Sequence, residues 1–381
     1  TNISYVDQNG TAPRVQQFSA DLQRELPGSM AIKLSYVGSR GRHLTLGGSN
    51  DFGLNVNQLD PKYMSLGSAL TASVPNPFFG NPSAGPLATQ ATVSRAQLLR
   101  PFPQFGNILA RRVTEGKSQY DAAIFEWTKR VTHGIGGRVS YTYSRLKDNQ
   151  VGEGNFYSPQ TASGTGTLNA YYYVKGSAYY NPNADFMYSV NDVPHRVIIA
   201  PIVEPPFGRG RRWAQTGWAD WLIGGWTASA AINFQSGFPL FVVQSDNTGT
   251  FGGTQRPNLT GSPFATSGSY ADRLASADHP TATWISGAAF VAAPANTFGN
   301  APRTLPDART PPQYNADAVF IKDFRFGSSS VQLKIEELNL FNRVNVRALR
   351  GSGTFGNSNF GQTNIQAGFM RITQIMLRVT F

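Results

Sequence analysis

The chain has 381 residues, of which 40% are hydrophobic and only 14% charged, with a formal net charge of +11 and no cysteine. The missing cysteine excludes disulfides, thiolate metal sites and cysteine nucleophiles. The charged share is well below the ~25% of soluble globular domains, and 39 Gly with 24 Pro favour turns and long loops over packed helices.

The first residues, "TNISYVDQNG", show neither Met nor signal peptide, so the chain reads as a fragment or processed piece, with "ISYV" a short partial strand. Alternating segments follow. Phe18, Ala20 and Leu22 oppose Gln17, Ser19, Asp21 and Gln23. Met30, Ile32, Leu34 and Tyr36 oppose Lys33 and Ser35. A helical turn or two is expected near Ser94, in "SRAQLLRPF". Ala123, Phe125 and Trp127 alternate with Glu126 and Thr128, and Val139, Tyr141 and Tyr143 with Arg138, Ser140, Thr142 and Ser144. "PHRVIIAPIVEPP", apolar on both faces, is read as a strand although Pro201 inside it has no N–H to donate to a ladder. Trp226, Ala228, Ala230, Ile232 and Phe234 share a parity, as do Phe320, Phe324 and Phe326. A strand over 330–342 and the terminal "ITQIMLRVTF" complete about nine or ten strands.

The connections between these segments alternate, short then long, along the whole chain. Short turns lie at "PG" after Leu26, at "THG" from Thr132 and at "GSS" from Gly327; a medium one spans about 206–221, and long stretches fill the other gaps. This is the pattern of an antiparallel up-and-down transmembrane β-barrel with short periplasmic turns and long extracellular loops. No apolar run reaches the ~18 residues of a transmembrane helix, and closed β pairing is the non-helical way to satisfy the backbone in lipid. Trp127, Trp226, Phe324, Phe326 and Phe381 then fall at the short-turn end, as membrane-interface aromatics. Tyr36, Tyr143, Phe234, Phe341 and Phe369 fall at the long-loop end. Arg138, Lys334, Glu336 and Arg378 are the candidate lumen-facing polar residues. Near the C-terminus the apolar parity switches between Ile335 and Leu338, and again between Ile372 and Ile375. Placing Asn342 opposite Phe369 sets Glu337 opposite Gln374, which reads either as a bulged site or as a mis-set register.

Several stretches, "VQQFSADLQRELPGSMAIKLSYVGSRGRHL", "GGWTASAAINFQSGFPL", "FGNAPR", "LKIEELNLFNRVN" and "FGQTNIQAGFMRITQIMLRVTF", together resemble the C-terminal barrel of TonB-dependent outer-membrane receptors of the Oar-like type. The resemblance runs in order along nearly the whole chain, and "ELNLFN" before a Phe-terminated strand is its most specific piece. It implies that residues 1–381 are the C-terminal part of the barrel domain, with the plug and the N-terminal regulatory-like domain absent. It implies a bacterial outer-membrane receptor for energy-coupled uptake or surface binding of a ligand, carbohydrate or peptide. The implied partners are outer-membrane lipid, the TonB complex through the missing N-terminal parts, and the barrel assembly machinery, with Phe381 as the C-terminal assembly signal. The Tyr-rich "NAYYYVKGSAYY" is the loop suited to stacking on such a ligand.

The alternative is a secreted or surface β-rich adhesion or carbohydrate-binding protein without a pore. Nucleic acid is not an expected partner, because the basic residues are scattered and "SRGRH" and "GRGRRW" sit beside turns. No enzyme, cofactor or metal is expected. "GTGTLN" and "GEGNF" lack the Lys-Ser/Thr of a phosphate loop, no GxSxG occurs, and His43, His133, His195 and His279 are far apart. Glu336 and Glu337 are neighbours on a strand and so point to opposite faces unless a bulge intervenes.

Overall fold

A computed structural model describes residues 2–46, 53–149, 175–251, 254–264, 267–327, 329–347, 353–363 and 365–381. Nine long strands form one antiparallel meander: β1 (Arg14–Leu26), β2 (Met30–Leu44), β3 (Gly116–Thr132), β4 (Ile135–Asp148), β5 (His195–Val203), β6 (Trp226–Gln235), β7 (Gln313–Phe326), β8 (Ser329–Leu338) and β9 (Ile372–Thr380). Each pairs with the next in chain order, and the two-residue strand Met187–Tyr188 adds to the end of β4. Among the described residues the outer edges of β1 and β9 are not joined in this sheet. The alternation of short and long connections read from the sequence is the one observed, so all long loops leave from one end.

Residues directly opposite across a strand pair share a face. One row runs Leu22, Leu34, Phe125, Tyr141, Val197, Phe234 and Tyr314 across seven strands. Nearer the short turns, Ile135, Val203, Ala228, Phe320, Ile335 and Ile375 continue the same face to β9. The opposite face carries Gln23, Lys33, Glu126, Ser140, Asn233 and Asn315, with Ile198 as the apolar member of that row. The period-2 pattern thus separates an aliphatic and aromatic face from a polar one.

"PHRVIIAPIVEPP" does form an interior strand, and its neighbours show how Pro201 is tolerated. Ile199 pairs with Ile232 and Ile202 with Ser229, but the intervening Ala200 and Pro201 have no partners in the ladder to β6. On the other side Pro201 faces Gly137, where an added Cβ would meet the Ala200 oxygen at 2.6 Å. A missing donor and a missing side chain meet at one place.

Three readings are corrected. The "ISYV" segment, Ile3–Val6, pairs parallel with Ile108–Arg111 inside the first long loop and takes no part in the meander. The penultimate strand stops at Leu338, because Asn339 (φ 53°) and Asn342 (φ 47°) turn the chain in the left-handed region that Asn tolerates better than most residues. In β8 and β9, Glu337 faces Thr373 and Leu338 faces Ile372 in an unbroken register. The parity switches do meet, one residue from the expected alignment and without a bulge. They put Glu337 and Thr373 on the apolar face, where Thr373 Oγ1 donates to the Glu337 carboxylate at 2.9 Å. Glu336 and Glu337 accordingly lie on opposite faces.

The packed core is not in the sheet. Among the described residues, the nine strands contribute only Ala122, Ala316 and Ala318 to the buried apolar set. The large buried side chains belong to the long loops. Leu240, Val242, Trp284, Ile285, Phe290 and Leu305 form one cluster, Leu46, Leu54 and Val113 a second, and Leu59, Met64 and Leu70 a third. Meanwhile Leu34, Ile375 and Leu377 on the apolar face of the sheet are exposed, Leu377 by 66%. A sheet that leaves its aliphatic face uncovered along nine strands is built to meet an apolar surrounding.

Candidate functional site

Two features can act on the outside world: the polar face of the sheet and the folded loops above it. The polar face is a set of short charge pairs. Lys33 Nζ lies 3.3 Å from the Asp21 carboxylate, Arg138 pairs with Glu126, and Lys334 with Glu336 two residues along the same strand. Gln332 donates to Asp323 at 2.8 Å, and Arg378 stands opposite Gln332. All four polar residues singled out from the sequence therefore lie on this face. Lys334, Glu336 and Arg378 come together on β8 and β9, whereas Arg138 is on β4, with three strands between.

The aromatic residues line the rims of the other face. Trp127 lies between Ile32 and Val139, and Trp226 faces Lys322. Phe324 faces Val331 and Phe326 faces Ser329 at the short-turn end, and Phe381 follows β9 with 96% exposure. Tyr36, Tyr143 and Phe234 occupy the same face toward the long loops. Phe341 sits in the turn after β8, and Phe369 precedes β9. Of the Tyr-rich loop, residues 169–174 lie outside the described residues, as do "GEGNF" and "GTGTLN".

Sequence reasoning missed how the loops are held. Residues 236–312 fold over the cluster around Trp284 and Ile285, and Phe290 packs edge-on to Phe360 at 5.6 Å, drawing in the 339–371 loop. Arg273 lies over the rings of Phe264 and Trp284 at 4.4 and 4.2 Å and donates to the Trp284 carbonyl. Three Arg–Asp pairs, two buried and one partly buried, then tie this cap to the end of β4 and to residues 175–194. Arg256 makes two bonds to Asp185, at 2.9 and 2.8 Å. Arg303 reaches the Asp148 carboxylate and also the carbonyls of Asp148 and Asp185. Arg309 pairs with Asp192 at 2.6 Å and donates to the Asp192 and Gly237 carbonyls. Guanidinium donors shared between a carboxylate and several carbonyls leave few buried acceptors unmet. The only sequence signal was that these are lone charges in Gly-, Ser- and Pro-rich loops.

Beside the cap, a cavity of about 320 Å3 opens at the loop bases, lined by Arg42, His43, Thr114, Glu115, Lys117 and Asn183. Lys117 Nζ donates to Asn183 Oδ1 at 2.8 Å, and Tyr180 donates to Glu115. Two permanent cations and one carboxylate around an open cleft suit a polar solute with hydrogen-bonding groups. Among the described residues no group of three or more His, Asp or Glu is placed to hold a metal ion.

The profile of the outer membrane beta barrel domain family matches residues 1–374. The chain belongs to that family. Its place is the bacterial outer membrane, and the uncovered apolar face of the barrel domain is the surface such a location requires. No curated protein matches the chain. Among solved structures it is similar to the outer membrane transporter YddB from Escherichia coli, at 9% identity and a TM-score of 0.41, over 99% of this chain and 33% of that one. It is also similar to the ferripyoverdine receptor of Pseudomonas aeruginosa (8% identity, TM-score 0.38, 96% of this chain and 27% of that one). A third is the FrpB iron transporter of Neisseria meningitidis (10%, 0.38, 98% and 32%). The chain spans a third or less of the length of these proteins.

Proposed function

We propose that this barrel domain is the C-terminal part of a TonB-dependent outer-membrane receptor of the Oar-like type, taking up or binding a carbohydrate or peptide at the cell surface. The observation that carries the reading is the division of labour within one chain: an apolar sheet face, a charge-paired polar face, and long loops at one end folded into a cap. In this reading the polar face looks into a wet lumen, so Arg138, Lys334, Glu336 and Arg378 line the path of a solute. Large transporters of this architecture have about 22 strands around a plug, and the free edges of β1 and β9 would pair with strands of the remaining barrel. The rim aromatics are the interface girdles, and Phe381 is an address for the assembly machinery as well as an anchor. The chemistry supports a binding and conducting role rather than catalysis: Lys33 with Asp21, Arg138 with Glu126 and Lys334 with Glu336 pair along the polar face, as suits a lumen wall.

The test uses the complete gene product. It should fractionate with outer membranes, migrate differently before and after heating, and support ligand-dependent growth only while the inner-membrane energy-coupling complex is intact. Uptake that persists without that complex would refute energy coupling. Recovery as a soluble monomer would refute the barrel itself.

A further inference from the structure

The 204–225 connection between β5 and β6 is longer than the other turns at its end of the sheet, and its contents are unusual. It carries Arg209, Arg211, Arg212 and Trp213 and then a helix of about two turns, α1 (Gly217–Ile223), with sequence GWADWLI. The helix is attached to the apolar side of the sheet. Trp221 packs on Phe324 with ring centroids 5.8 Å apart, and Trp226 Nε1 donates to the Leu222 carbonyl at 3.1 Å. Lys322 Nζ donates to the carbonyl of Gly224, the residue ending the helix, while lying over the rings of Trp226 and Phe324. Trp226, Lys322 and Phe324 all belong to the apolar face. Yet the helix buries none of its residues: Trp218 is 79% exposed, and Trp221, Leu222 and Ile223 are exposed with it.

We infer that α1 and the preceding arginines form an interfacial anchor, seated in the periplasmic leaflet of the outer membrane on anionic phospholipid. The apolar residues of α1 join the aliphatic face of the barrel through the Trp221–Phe324 ring contact, and the Trp226 N–H bond to the Leu222 carbonyl pins the helix there. The membrane that covers that face is therefore the surface that reaches them. Indole rings with a polar N–H prefer this boundary. Arg211 pairs with Glu204 and Arg209 with Asp220, which leaves Arg212 to supply the charge match. Arg212 lies over the Trp213 ring at 5.0 Å, and Arg209 is exposed even as it holds Asp220 of the helix at 3.2 Å. A guanidinium beside an indole at an apolar edge suits a lipid phosphate. The inference rests on the membrane placement of the barrel and adds a built lipid contact outside the strands.

These 381 residues have no cysteine, and any cysteine elsewhere in the full-length protein is first replaced by serine so that single labels are read without background. Nitroxide labels at Trp218→Cys and Leu222→Cys would be compared, in the full-length protein in phosphatidylethanolamine–phosphatidylglycerol vesicles, with labels at Ile375→Cys on the apolar face and Ser330→Cys on the polar face. Labels at 218 and 222 should match 375, with oxygen collisions favoured several-fold over a water-soluble nickel chelate relative to 330. If 218 and 222 match 330 while 375 reads as lipid, the anchor is overturned and the barrel reading stands. If 375 also matches 330, the membrane placement fails and the anchor fails with it. Replacing the phosphatidylglycerol by a zwitterionic lipid should make the label at 218 shallower, and Arg212→Gln should remove that difference. An immersion depth indifferent to both would overturn the headgroup assignment.

Discussion

Arg303 donates to the carboxylate of Asp148 at 2.7 Å across 155 residues of sequence, and both side chains are nearly buried. The last residue of β4 is thereby fastened to the loop cap. The same guanidinium reaches three carbonyls, so its loss would remove a buried ion pair and several hydrogen bonds together. Breaking a buried pair from one side costs about 3–5 kcal/mol. Arg303→Ala should loosen residues 236–312 by that order and leave the strand ladder folded. Hydrogen exchange should show faster exchange in the cap with β1–β4 unchanged. Protection of the cap equal to wild type would show the pair to be dispensable.

The two faces of the sheet should respond oppositely to charge. Leu377 and Gln374 are three residues apart on β9, yet Leu377 stands in the aliphatic row opposite Leu333 and Gln374 in the polar row opposite Glu336. Leu377→Arg should destabilise the membrane-inserted state by about 2–4 kcal/mol if it lies near the midplane. Gln374→Arg adds the same charge beside Glu336 and should be nearly neutral. Urea titration of the refolded protein, followed by heat-modifiable migration, measures both. Equal losses would mean that the faces are not differentiated by solvent.

That contrast also shows what the sequence made legible. Alternation alone placed Trp127, Phe234 and Leu377 on one face and Arg138 and Lys334 on the other, because a strand has no freedom in its period of two. Loop spacing gave the order and direction of the strands. The end of β8 was not legible: Leu338 and Leu340 keep the apolar rhythm that a strand would have, and the positive φ of Asn339 and Asn342 breaks it. The Arg–Asp locks were hidden for a different reason. Asp148, Asp185 and Asp192 meet Arg303, Arg256 and Arg309 across more than 70 residues, and no local period encodes such a meeting.

Gly237 marks the point where β6 passes into the cap. A Cβ built there would lie 1.7 Å from the Thr310 carbonyl oxygen, and that backbone is fixed because Thr310 N donates to the Phe238 carbonyl at 2.7 Å. Thr310 Oγ1 also accepts from Phe238 N, so the contact is locked from both sides. Gly237→Ala should push the two segments apart and weaken the neighbouring Arg309–Asp192 pair, since Arg309 donates to the Gly237 carbonyl. Limited proteolysis should then cut within 236–312 several-fold faster than in wild type. An unchanged rate would show that the backbone shifts at little cost.

One loop should respond to acid. Asp272 accepts from the hydroxyl and the backbone N–H of Ser269, and these bonds, with a smaller contribution from His279 at 3.8 Å, hold its carboxyl below the ordinary value. A carboxyl depressed on folding binds its proton more weakly in the folded state. Its stabilising contribution is therefore complete above the ordinary carboxylate range and is lost as pH falls through the lowered value. Protection of the 269–279 amides, taken relative to the intrinsic exchange rate at each pH, should fall on acidification in the wild type. Asp272→Asn should exchange faster already at neutral pH and show a flatter response to acid. A variant with the same acid profile as wild type would place the sensitivity elsewhere in the loop.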